Sequence, residues 1–165
     1  MKIPSLLSCL FALSLICCEV FAACVPQPGG ATIWRGDGPY DASGNLAGSF
    51  RAGGRVGDGF IGSGFVFGGG QDALLLPAAF RLPSQEFTVE AWVRRSDTNR
   101  TGIDPIGGQL FGGGNAGISF GLTHEGRPYL NHIGLTNYFT TSAIRDTNWH
   151  HVAVARGGTD LRFER

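Results

Sequence analysis

The chain has 165 residues, 13 basic and 13 acidic, so its formal net charge is zero at pH 7. That length fits one domain behind a short leader, and the balanced charge argues against nucleic acid or an anionic membrane surface as partner. Glycine is the outlier, with 27 residues, more than double the usual share of about 7%; no triplet period accompanies it, which excludes collagen.

The first element is a leader. Met1-Lys2 carries one positive charge, and residues 3–18 run almost without polar groups until Glu19. Val20-Phe21-Ala22 then offers small residues at the −3 and −1 positions of a cut, which predicts a secretory signal peptide over residues 1–22. The apolar run is shorter than the roughly 20 residues that span a bilayer, which argues against a transmembrane anchor. Phe21-Ala22-Ala23-Cys24 loosely resembles a bacterial lipoprotein box, with Phe21 where Leu is preferred, so a lipid anchor at Cys24 is a minor alternative. Cys9, Cys17 and Cys18 leave with the leader and only Cys24 stays, so the exported chain has no internal disulfide and relies on its core or a bound ion.

Residues 23–30 read as a linker, and 31–165 as one β domain. No long stretch has the helical period; alternation with period 2 recurs instead. It is clearest in Phe87–Arg94, with Phe87, Val89, Ala91 and Val93 on one face, and in Trp149–Arg156, which ends at Gly157-Gly158 before Leu161–Glu164 resumes as a hairpin. Weaker strands are predicted at Ala31–Arg35, Gly64–Phe67, Ala73–Leu76, Gly107–Phe111, Gly117–Thr123, Pro128–Ile133 and Thr136–Thr141. Glycine-rich turns at 68–70, 112–115 and 125–126 separate them, and residues 95–105 read as a polar loop. Strands at this even spacing predict an all-β sandwich.

Three segments carry a resemblance. The first is Trp34-Arg35-Gly36-Asp37-Gly38 with Asp41-Ala42-Ser43-Gly44-Asn45, leading to Gly64–Asp72. The second is FTVEAWV, Phe87 to Val93, and the third is Asp146-Thr147-Asn148-Trp149-His150-His151-Val152-Ala153. In this order and spacing they resemble the laminin G-like domains of the concanavalin A-like lectin and glucanase class, over about residues 31–165. The resemblance implies an antiparallel jelly-roll β-sandwich. Gly68 and Ala73-Leu74 depart from the family's usual Asp and Asp-Tyr. Relatives continue past the strand like Leu161–Phe163 into further strands, so the resemblance also implies a domain incomplete at its C-terminus.

Relatives often hold Ca2+ on acidic loops. The resemblance places the matching oxygen donors at Asp37, Asp41, Asn45 and Asp72, and Ca2+ takes six to eight oxygens; Asp and Asn also cap ordinary turns. Trp92 and Trp149, mid-strand, read as core residues, as does Trp34. Ligand candidates lie in the mixed amide and aromatic segments, at Tyr129, Asn131, His132, Asn137 and Tyr138, a chemistry that suits a sugar. The bland alternative for them is an edge strand with a polar face. His150 and His151 are adjacent, point to opposite faces and make no chelate. Asn99-Arg100-Thr101 is a glycosylation sequon, relevant only in a host that glycosylates. Glucanases of this fold carry alternating carboxylates on one strand, whereas here Glu90 stands alone in FTVEAWV and Glu86 falls outside the strand. Neither an H-E-x-x-H motif nor a Cys/His pair is present.

Three functions stay open at the level of sequence. One is an extracellular, non-catalytic module that binds a glycan or a protein surface with the help of Ca2+. A second is a structural or adhesive spacer of a larger secreted protein. A third is the front of a glycoside-active enzyme.

Overall fold

The structure is a computed structural model that describes residues 31–78, 80, 82, 86–99, 107–113, 117–132 and 135–165. The predicted signal peptide, the linker with Cys24, Arg100 and Thr101 of the sequon, and Ile133 lie outside the described residues. Apart from Ala31, the described residues belong to one unit, Thr32–Arg165.

Among the described residues there is no helix, hence none long and apolar enough to cross a membrane. The strands are β1 (Ser49–Arg51), β2 (Arg55–Asp58), β3 (Ser63–Val66), β4 (Ala73–Leu75), β5 (Glu86–Arg94), β6 (Gly107–Gly113), β7 (Ile118–Thr123), β8 (Pro128–His132), β9 (Thr136–Phe139), β10 (Trp149–Gly157) and β11 (Asp160–Glu164). All pairings are antiparallel. The larger sheets have the orders β11-β10-β5 and β6-β7-β8-β9, and two small ribbons pair β1 with β4 and β2 with β3.

The two larger sheets face one another across the core. β5 contributes Phe87 and Val93, β10 contributes Val152 and Val154, and both of these valines are fully buried. Opposite them stand Ile118, Phe120 and Leu122 of β7 and Leu130 of β8. Ile144, from the segment before β10, closes the cluster. Each set recurs at every second residue, so each sheet turns one apolar face inward, as a sandwich requires. The exception to strict pairing is a bulge between Gln109 and Phe111 of β6, which leaves Leu110 40% exposed.

Residues 31–35, predicted as a strand, form none. The Ile33 carbonyl accepts from Ala42 N–H at 2.6 Å, and Trp34 packs edge-on against Phe80 at 5.4 Å. Gly36, at φ 86°, lies so close to Gly64 that a Cβ would sit 2.5 Å from the Gly64 Cα. The segment is thus bound as an irregular strap.

Candidate functional site

The predicted oxygen donors are the first group to place. Asp41 is 5% exposed and binds its own loop. One carboxylate oxygen accepts from Leu46 N–H at 2.7 Å, the other from Ser43 N–H at 3.2 Å and from the Ser43 hydroxyl. These bonds, the hydroxyl's first and the Leu46 amide's second, hold its pKa below the ordinary 3.8. Asp72 bridges two segments, accepting from Gly53 N–H at 2.7 Å and Gly68 N–H at 2.8 Å. Asp37 and Asn45 are exposed. Among the described residues no three His, Cys, Asp or Glu side chains gather as a metal set. Asp37, Asp41 and Asp72 therefore do not gather into one carboxylate cluster.

The five predicted ligand residues divide between two faces of one sheet. His132 and Tyr138 point inward, because they pair with Thr136 and Leu130 on the face that carries the core residues Ile118 and Leu130. Tyr129, Asn131 and Asn137 point outward, where Asn131 pairs directly with Asn137 and Tyr129 with Phe139. Alternation along a strand separates neighbours in sequence, so 131 and 132, or 137 and 138, cannot serve one site. Tyr129 is buried across Gly121, where a Cβ would lie 2.8 Å from its ring. His132 and Tyr138 instead line a small cleft between the two large sheets, with Ile118, Leu130, Arg156, Thr159 and Leu161.

The outer face of β11-β10-β5 is a surface that the sequence reading missed. Trp92 and Trp149 do not enter the core. Trp92 pairs with His151 and Trp149 with Arg94, all on the face opposite Val93 and Val152, and Trp92 is 48% exposed. The β2–β3 hairpin lays Phe60 flat on Trp92, with ring centroids 3.8 Å apart and planes 11° apart. Phe60 also meets Trp149 edge-on at 6.2 Å, and the Arg94 guanidinium lies over the Trp149 ring at 4.9 Å. Beside them the His151 ring stands 5.4 Å from Trp92, and its Nε2 lies 3.6 Å from a Glu90 carboxylate oxygen. Aromatic rings thus sit next to a carboxylate, an imidazole and a guanidinium on one open face. The alternation of β5 was the signal that could have found it, since Trp92 falls out of phase with Phe87, Val89, Ala91 and Val93.

Glu86, read as outside the strand, is the first residue of β5. It shares the outer face with Glu90, but four residues of strand separate the two by about 13 Å. Glu164 stands across β10 from Glu90, both pairing with Ala153, at about 10 Å for two strand spacings. Glu90 and Glu164 are exposed on an open sheet face.

With the fold and these surfaces in view, residues 68–163 match the family model described as the concanavalin A-like lectin/glucanases superfamily, of the laminin G type. The chain belongs to this family, a class of carbohydrate- and protein-binding modules. Neither the curated proteins nor the solved structures give a match.

Proposed function

We propose that this chain is a non-catalytic recognition module that acts outside the cell and binds carbohydrate on the outer face of β11-β10-β5. The observation that supports this reading is the Phe60–Trp92 stack with its charged border. A sugar ring offers apolar C–H faces and a rim of hydroxyls. Phe60 is held on one side by Trp92 and is 45% exposed, so it presents an apolar surface already fixed in place. Glu90 accepts from hydroxyls, and Arg94 donates to them. Among the described residues this face shows no close carboxylate pair of a retaining glycosidase, since from Glu90 the Glu86 carboxylate lies about 13 Å along β5 and Glu164 about 10 Å across β10. Within this reading Asp41 and Asp72 serve their loops, and binding is independent of Ca2+.

One observation favours a second reading. Ile61, next to Phe60 at the hairpin tip, is 85% exposed, a side chain better matched to an apolar protein surface than to a sugar. In that case the hairpin is an adhesive contact of a larger assembly.

A glycan array probed with the chain and with Phe60→Ala separates the readings. The carbohydrate reading expects binding to a defined set of glycans in the presence of chelator, weakened by at least about tenfold in the variant, the equivalent of one aromatic contact of about 1.4 kcal/mol. An array without signal, together with capture of a protein partner that Ile61→Ser abolishes, gives the adhesive reading instead.

A further inference from the structure

The cleft between the two large sheets gathers hydrogen-bond donors over an apolar floor. Ile118 and Leu130, 6% and 2% exposed, form that floor. Arg156 reaches it because β10 alternates inward at Val152, Val154 and Arg156. Its Nε donates to the Gly158 carbonyl at 3.1 Å, which fixes the side chain at the β10–β11 turn and leaves the two terminal nitrogens available. Among the described residues no carboxylate pairs with Arg156. His132, Tyr138 and Thr159 complete the wall, and no side-chain hydrogen bond among the described residues occupies the imidazole or either hydroxyl.

Arg156 is half-buried, so an anion that arrives there gains a charge-assisted hydrogen bond without a large desolvation cost. The planar fork of arginine matches a carboxylate in two parallel bonds. The cleft is partly open and has room for only one or two waters, about 20 Å3 against about 10–15 Å3 for one, so it admits the head of an anion and not a whole sugar ring. At the mouth Tyr138, 46% exposed, offers a ring, and Thr159 a hydroxyl, to whatever carries the carboxylate.

We infer that this cleft binds the carboxylate of an acidic sugar, a uronic acid, with Arg156 as the anchoring cation. The inference rests on the carbohydrate reading above but uses different residues on a different surface. Titration of the intact chain, followed by NMR at matched ionic strength, is the test, with sodium glucuronate, glucose and sodium sulfate as separate probes. Glucuronate should perturb the resonances of His132, Tyr138 and Thr159, and glucose should not. Arg156→Gln should weaken glucuronate binding by at least about tenfold, as expected for a hydrogen-bonded charge contact. Should that variant fail to unfold cooperatively, Thr159→Val, at the exposed turn, keeps the test open and should weaken binding as well. Sulfate binding as tightly as glucuronate would overturn the assignment to a sugar carboxylate. So would unchanged glucuronate binding in Arg156→Gln. If glucuronate fails while array glycans still bind through Phe60, only this inference falls; if both fail, the carbohydrate reading falls with it.

Discussion

At the scale of single residues, the carboxylates of this chain act mainly as local fasteners. Asp41 is held below its ordinary pKa of 3.8 by the Ser43 hydroxyl and the Leu46 amide, and Asp146 by the His150 ring and then the Asn148 amide. Glu125 is lowered chiefly by the Thr123 hydroxyl, 2.7 Å away. A carboxyl whose pKa is lower folded than unfolded binds fewer protons in the folded state near that pH. Its contribution is therefore present above the unfolded value and is lost as the pH falls through the folded one. Stability should be level from neutral pH down to about pH 5 and then decline below the ordinary carboxylate range. Asp41→Asn should lower stability at pH 7 and flatten that acid decline, as urea unfolding at a series of pH values would record. A decline as steep in the variant as in the parent chain would mean that Asp41 is not a source of it.

At the scale of elements, the chain ends of strands are tied by a residue that carries no family signature. Arg95, 6% exposed, follows β5 directly. Its guanidinium donates to the carbonyls of Ile144 at 2.8 Å, Thr98 at 2.6 Å and His124 at 2.8 Å. It thereby joins the loop after β5, the β7–β8 turn and the segment before β10. Gly126 lets this happen, since at φ 85° a Cβ would stand 2.0 Å from the Ile144 carbonyl oxygen. Arg95→Leu orphans three carbonyls and should cost about 3 kcal/mol or more, and Arg95→Lys should not restore it, because one ammonium cannot span the three acceptors. A loss below about 1 kcal/mol in denaturant unfolding would contradict this role.

Elements also show what could be read in advance. Strands β5, β7, β8 and β10 were legible to within a residue or two, because each turns an apolar face inward and so repeats its apolar residues at period 2, even in β7, which is buried on both faces. β1 and β2 were not, since three and four residues with glycine and arginine among them have no buried face to write a pattern. Ser49–Arg51 and Arg55–Asp58 become strands only through their partners β4 and β3. The strap at 31–35 shows the opposite error, an apolar run whose backbone is claimed by a loop. Of the site, the polar and aromatic character of 129–139 was legible, but its division between two faces follows from register. The Phe60–Trp92 stack joins residues 32 positions apart in sequence, a contact that no local pattern announces.

At the scale of the whole molecule, the domain is a sandwich with two distinct surfaces beside its core. One is the aromatic and charged outer face of β11-β10-β5. The other is the donor-lined cleft at Arg156. Membership of the family supports a carbohydrate- or protein-binding module in general, and carbohydrate is the ligand class proposed for both surfaces. The most direct test of the outer face is an NMR map of the 15N-labelled chain with the neutral oligosaccharide that binds most tightly on the array. Shifts are expected at the Trp92 and Trp149 indole N–H groups and at the amides of residues 59–62, with β8 and β9 unmoved. Shifts confined to β8 and β9, or none at the two indoles, would contradict binding on that face.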